Sequence, residues 1–116
     1  MDFRVNTFVP EATKRLEFMR TEYGFAGPDV ESSPGIPRNR GGITVKYQRA
    51  GLILATSLTF DYGHDDNVET TLFRYRMPAG GLRQTRVLTD TARTGYEMRR
   101  ALDRHASAVR DLLRQN

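Results

Sequence analysis

Apolar and polar positions alternate with a period of two between residues 43 and 77, and recur with a helical period on either side of that segment. In ITVKYQR, Ile43, Val45 and Tyr47 share one side of a strand, opposite Thr44, Lys46 and Gln48. Arg49, Ala50 and Gly51 make a tight turn. In GLILATSLTF, Leu52, Leu54, Thr56, Leu58 and Phe60 face one way and Ile53, Ala55, Ser57 and Thr59 the other. That second side is small and moderately apolar, which predicts a central strand covered in part on both faces. In NVETTLFRYRM, Phe73, Tyr75 and Met77 alternate with Leu72, Arg74 and Arg76, and the aromatic side is the one expected to meet a helix. Pro78 and Gly80-Gly81 stop that strand, and LRQTRVL at 82–88 reads as a fourth, with Leu82, Gln84, Arg86 and Leu88 on one side.

The flanks are helical. Phe8, Ala12, Leu16 and Met19 fall on one stripe and predict a first helix over 8–22, capped by Asn6 or Thr7, with Pro10 early enough to be tolerated. Gly24 is its expected left-handed stop. Met98, Leu102, His105, Val109 and Leu112 form the stripe of a last helix, expected to begin at Thr89 or Asp90 and to reach Arg114. Asp103 is expected to pair locally with Arg99 or Arg100. Between the first helix and the strands, residues 26–42 hold three prolines and four glycines. They read as a loop with room for a short edge strand near Val30, and long loops in small domains often contact ligands or partners.

The 116 residues make a single domain spanning 1–116, long enough for a core without metals or disulfides. The expected fold is α+β: a three- or four-stranded antiparallel sheet with N- and C-terminal helices packed on one face. Phe8, Leu16, Met19, Tyr47, Leu54, Leu58, Phe73, Met98, Leu102, Val109 and Leu112 are its expected core. The chain has no cysteine, which excludes thiolate catalysis and cysteine-ligated zinc. It has no long apolar run and no secretion-signal pattern at MDFRVN, so the expectation is a cytoplasmic protein without membrane contact.

A net charge of +4 raises the question of nucleic acid. Nearly all the basic residues are arginine, with Lys14 and Lys46 the only lysines, but the excess is spread evenly and Arg99-Arg100 is the longest uninterrupted basic run. A nucleic-acid surface would have to use Arg38, Arg40, Arg74, Arg76 and Arg86 around exposed rings, whereas the alternation of Phe73 and Tyr75 reads as core. Asp61, His64, Asp65 and Asp66 are the one tight cluster of metal-ligand or acid–base groups. A small-ligand or metal-dependent enzyme would use that 61–66 loop, yet Asp, Gly and Asn are also what a hairpin turn requires. His105 sits within an apolar stripe, as a satisfied boundary histidine would, and nothing in the sequence fixes a serine or threonine beside it. No glycine-rich phosphate loop is present. No catalytic, cofactor-binding or metal residue is therefore assigned, and no cofactor is expected.

The run LEFMRTEYGFAGPDVESS followed by ITVKYQRAGLILATSLTF resembles a group of small bacterial α+β proteins of unassigned biochemistry, over about residues 12–75. Tyr23, Gly24, Phe25, Pro28, Val45 and Tyr47 carry the likeness. Some of those proteins are encoded near toxin systems and are treated as immunity-like binders. The resemblance implies a noncatalytic protein–protein interaction module, immunity-like or regulatory, acting through an uncovered sheet face or the 26–42 segment. A homodimer through an unprotected sheet edge is a further expectation.

Overall fold

The computed structural model describes residues 3–33, 40–61, 66–76 and 81–115. Helix α1 (Phe3–Arg15) and the single turn α2 (Phe18–Thr21) lead into five strands: β1 (Ala26–Ser33), β2 (Arg40–Arg49), β3 (Leu52–Asp61), β4 (Asn67–Arg76) and β5 (Gly81–Thr91). Helix α3 (Gly95–Arg114) follows. The strands form one antiparallel meander in sequence order, β1 and β5 being its edges. Both long helices lie on the same face, α1 over β2 and β3 and α3 over β5 and β4.

The α+β class and the one-sided helical layer agree with expectation. The sheet has five strands, which corrects the three or four expected. The added strand is β1, the edge strand for which the sequence left room near Val30, and the rest of AGPDVESS looks like loop because an edge strand needs backbone pairing on one side only and little apolar burial. Its pairing with β2 is irregular between Ala26 and Asp29, across a cis Gly27-Pro28 peptide. Residues 26–33 and 40–42 are thus strand, not loop.

Hairpin geometry fixes which side chains go inward. Gly51, at φ 80°, follows an Ala50 with no positive φ, as in a type II turn, and the register then places Tyr47 opposite Leu54. Across β3 and β4, Leu54 meets Leu72, Thr56 meets Thr70 and Leu58 meets Val68, so Val68, Thr70 and Leu72 face the helices. Phe73 and Tyr75 therefore point to the opposite face, Phe73 half-buried and Tyr75 47 % exposed, which corrects their expected place in the core. A bulge changes the register between Thr70/Leu88 and Thr71/Arg86. It leaves Gln84 and Arg86 on the outer face while Leu88 turns to the helix side, so the single face expected for 82–88 is divided.

The core is Phe8, Ala12, Leu16, Met19, Val45, Tyr47, Leu54, Leu58, Val68, Leu72, Met98, Leu102 and Val109 with their buried neighbours. Leu113 is buried where Leu112 was expected, Leu112 packing half-buried against the cluster. Each such side chain contributes about 1.5–3 kcal/mol by leaving water. The first helix starts earlier than expected and breaks after Arg15, while Gly24 is left-handed at φ 70° as its sequence position implied. Helix α3 is capped by Thr94, whose hydroxyl accepts from the Glu97 N–H, and not by Asp90, which belongs to β5.

Arginines tie this layer together. Arg15 Nε donates to Asp103 at 2.6 Å and its Nη1 to Glu11, while Arg99 reaches Glu11 at 3.2 Å, linking α1 to α3. Arg110 bonds Glu22 at 2.9 Å and lies 4.2 Å over the Phe18 ring. Arg49 caps the Tyr23 carbonyl at 2.7 Å above Phe25. Asp103 thus pairs across the helix interface, where a local partner on its own helix was expected. Much of the basic composition is internal architecture.

Candidate functional site

Two features carry chemistry: a polar chain sealed inside the core and the uncovered side of the sheet. The chain begins where β3, β4, β5 and α3 meet. Thr56 Oγ1 is 2.9 Å from Thr70 Oγ1, Thr70 Oγ1 is 2.7 Å from His105 Nδ1, and His105 Nε2 is 3.0 Å from Asp90 Oδ2. Arg104 Nη1 donates to Asp90 Oδ1 at 2.7 Å. An accepting carboxylate sets the direction of the whole series: His105 donates through Nε2–H, so Nδ1 accepts from the Thr70 hydroxyl, which accepts from Thr56. Burial is the main influence on the imidazole and holds its pKa below the ordinary 6.5, outweighing the attraction of Asp90. Burial thus favours neutral His105, the form in which Nδ1 accepts.

Carboxylate, imidazole and hydroxyl stand here in the order used to activate a nucleophile. The hydroxyls are sealed, however, with Thr70 at 0 % and Thr56 at 1 % exposure, so neither presents its oxygen to solvent. The arrangement instead satisfies polar groups where four elements converge, and the threonine absent from sequence reasoning is Thr70. Asp90, 18 % exposed, is the wet end of the series. It opens into a shallow cleft of about 160 Å³ shared with Glu97, Arg100 and Arg104.

A second buried polar group stands apart. The hydroxyl of Tyr47 has no hydrogen-bond partner among the described residues, and burial, then the nearby Glu17 carboxylate, pushes its pKa up to about 12.

On the side of the sheet away from the helices, Ile53 is paired with Phe73, and Tyr75 projects beside them. A groove of about 430 Å³ runs along this end past Ala26, Gln48, Gly51 and Leu52. Around the apolar strip lie paired polar groups: Thr44 with Ser57 at 2.7 Å, Lys46 with Glu31 at 2.8 Å and Arg86 with Glu69 at 3.3 Å.

The sequence-derived site candidates are dispersed. Arg38, His64 and Asp65 lie outside the described residues. Asp66 is buried and its carbonyl accepts from the Ala92 N–H at 2.7 Å, joining the β3–β4 connection to the end of β5. Among the described residues, no three His, Cys, Asp or Glu side chains are placed to hold a metal ion. Register puts Arg74 on the helix side, opposite Leu52, and Arg86 on the outer side, opposite Thr71, so these two arginines of the nucleic-acid reading do not share a face. Among the described residues no helix is long and apolar enough to cross a membrane.

No protein-family model, curated protein or solved structure matches this chain.

Proposed function

We propose that this protein is a noncatalytic recognition module, immunity-like or regulatory, that binds a partner protein on the uncovered side of its sheet. The observation that carries the reading is the strip formed by Ile53, Phe73 and Tyr75, an apolar centre within a rim of paired polar side chains. Protein interfaces share that anatomy, and tyrosine is among the residues that dominate their energetics. The helix side is occupied by the core, so this face is the one left to present side chains outward.

The test is a photo-crosslinking residue placed at position 75 in the protein in its own cells, beside the same residue at position 96. Tyr96 is the control because it is 67 % exposed on α3, away from the strip. A discrete heteromeric adduct from position 75, lost on Ile53→Arg and absent from position 96, supports the proposal. Identical adduct patterns from both positions, or adducts containing this chain alone, would overturn it.

A further inference from the structure

The open edge of β5 and the helix beside it form a second surface. Helix α3 turns Arg99, Asp103 and Arg110 toward α1 and α2, where they meet Glu11, Arg15 and Glu22. Its other flank lies over the sheet edge. There Ala108, Asp111 and Leu112 form a furrow of about 340 Å³ with Thr85, Arg86 and Val87 of β5. The apolar lining is Val87, Ala108 and Leu112, each half-buried. Among the described residues strand β5 pairs only with β4, so along its eleven residues the outer backbone N–H and C=O groups have no strand partner there. Residues 83–86 are exposed.

Charge decides what this edge accepts. The opposite edge, β1, carries Asp29 and Glu31, whereas residues 83–86 of β5 carry Arg83 and Arg86. Two copies of β5 pairing antiparallel about a two-fold keep each side chain on its own face, so centring the pair on Arg83 or on Arg86 opposes that arginine to its own copy, and directly opposed like charges destabilise a ladder. An acidic strand meets the reverse situation. Register puts Arg83 on the helix side, with Arg74, and Arg86 on the outer side, with Thr71, so an acidic strand meets Arg83 on one face and on the other Arg86, which pairs with Glu69 at 3.3 Å yet stays 66 % exposed.

We infer that the β5 edge and the β5–α3 furrow take an extended acidic segment of a partner protein as a sixth strand. Backbone hydrogen bonds hold the segment, one apolar side chain fills the furrow, and carboxylates engage Arg83 and Arg86. The inference rests on the recognition reading and assigns it a second contact, at the edge instead of the face.

The test is selection of a random peptide display library on the full-length chain, followed by affinity and amide-exchange measurements on the selected peptides. The expected winners carry two or more acidic residues and an apolar one, and slow exchange of β5 amides. Their affinity drops at least tenfold in Arg83→Glu/Arg86→Glu and in Ala108→Arg, and it weakens as salt rises. Each variant is first shown to unfold at the parent's midpoint. Winners indifferent to both variants, winners that protect β1, or light scattering showing a second copy of the chain on β5 overturn the inference. Winners that lose affinity on Ile53→Arg and keep it in Arg83→Glu/Arg86→Glu overturn the edge assignment while leaving recognition by the sheet face in place. A selection that enriches nothing overturns both.

Discussion

Leu54 and Ile53 are adjacent, equal in size and on the same strand, yet only Leu54, at 1 % exposure, lies beneath the helices. Ile53 is half-buried on a face that no helix or strand among the described residues covers. The helix side holds the core and a fully directed polar chain. The outer side holds apolar groups within a rim of ion pairs and hydroxyl contacts. The difference separates what folds this protein from what it has available to bind with.

The largest effect that sharpens this contrast comes from cavities. Leu102→Ala, buried on α3, should cost about 2–5 kcal/mol in chemical denaturation. Phe73→Ala on the outer face should cost clearly less, although a Phe in the expected core would match Leu102. Next comes the polar chain: Asp90→Ala removes the acceptor of the buried His105 N–H and should cost about 1–3 kcal/mol. Thr70→Val, which keeps the shape but removes the donor to Nδ1, should fall in the same range.

Acid probes the same chain with a definite sign. Native His105 resists the proton that the unfolded chain accepts at the ordinary histidine value of 6.5. Between the lowered native pKa and that value the unfolded state binds more protons, so stability is full above the window and falls as pH drops through it. His105→Gln should flatten this part of a stability–pH curve. The Glu11 carboxyl, held low by hydrogen bonds from Arg15 and Arg99, acts separately at lower pH, below the ordinary 4.5. The smallest effect is of opposite sign. Tyr47→Phe deletes a buried hydroxyl that has no partner and should leave stability unchanged or raise it by about 1 kcal/mol.

The helix stripes, the β2–β3 turn and the central strand were legible because apolar period and glycine position agree there. β1 was legible only as room for a short edge strand near Val30, since an exposed edge strand has no hydrophobic alternation to fix its extent. The inward face of β4 differs from the one its sequence predicts for a physical reason: Val68, Thr70 and Leu72 make a weaker apolar signal than Phe73 and Tyr75. A threonine reads as surface until its hydroxyl finds an internal partner, and that partner is His105, 35 residues further along the chain. The Asp90–His105–Thr70 series joins two strands and a helix, so no local spacing could announce it. Opposite charge on the two sheet edges was present in the sequence, but it gained meaning only once β1 and β5 were known to be edges.

Equilibrium unfolding of Ile53→Arg beside Leu54→Arg tests the division of the two faces most directly. The account predicts that Leu54→Arg abolishes cooperative unfolding, because an unpaired charge beneath the helices cannot be solvated. Ile53→Arg should keep a cooperative transition within about 1 kcal/mol of the parent. Equal loss in both variants would contradict it.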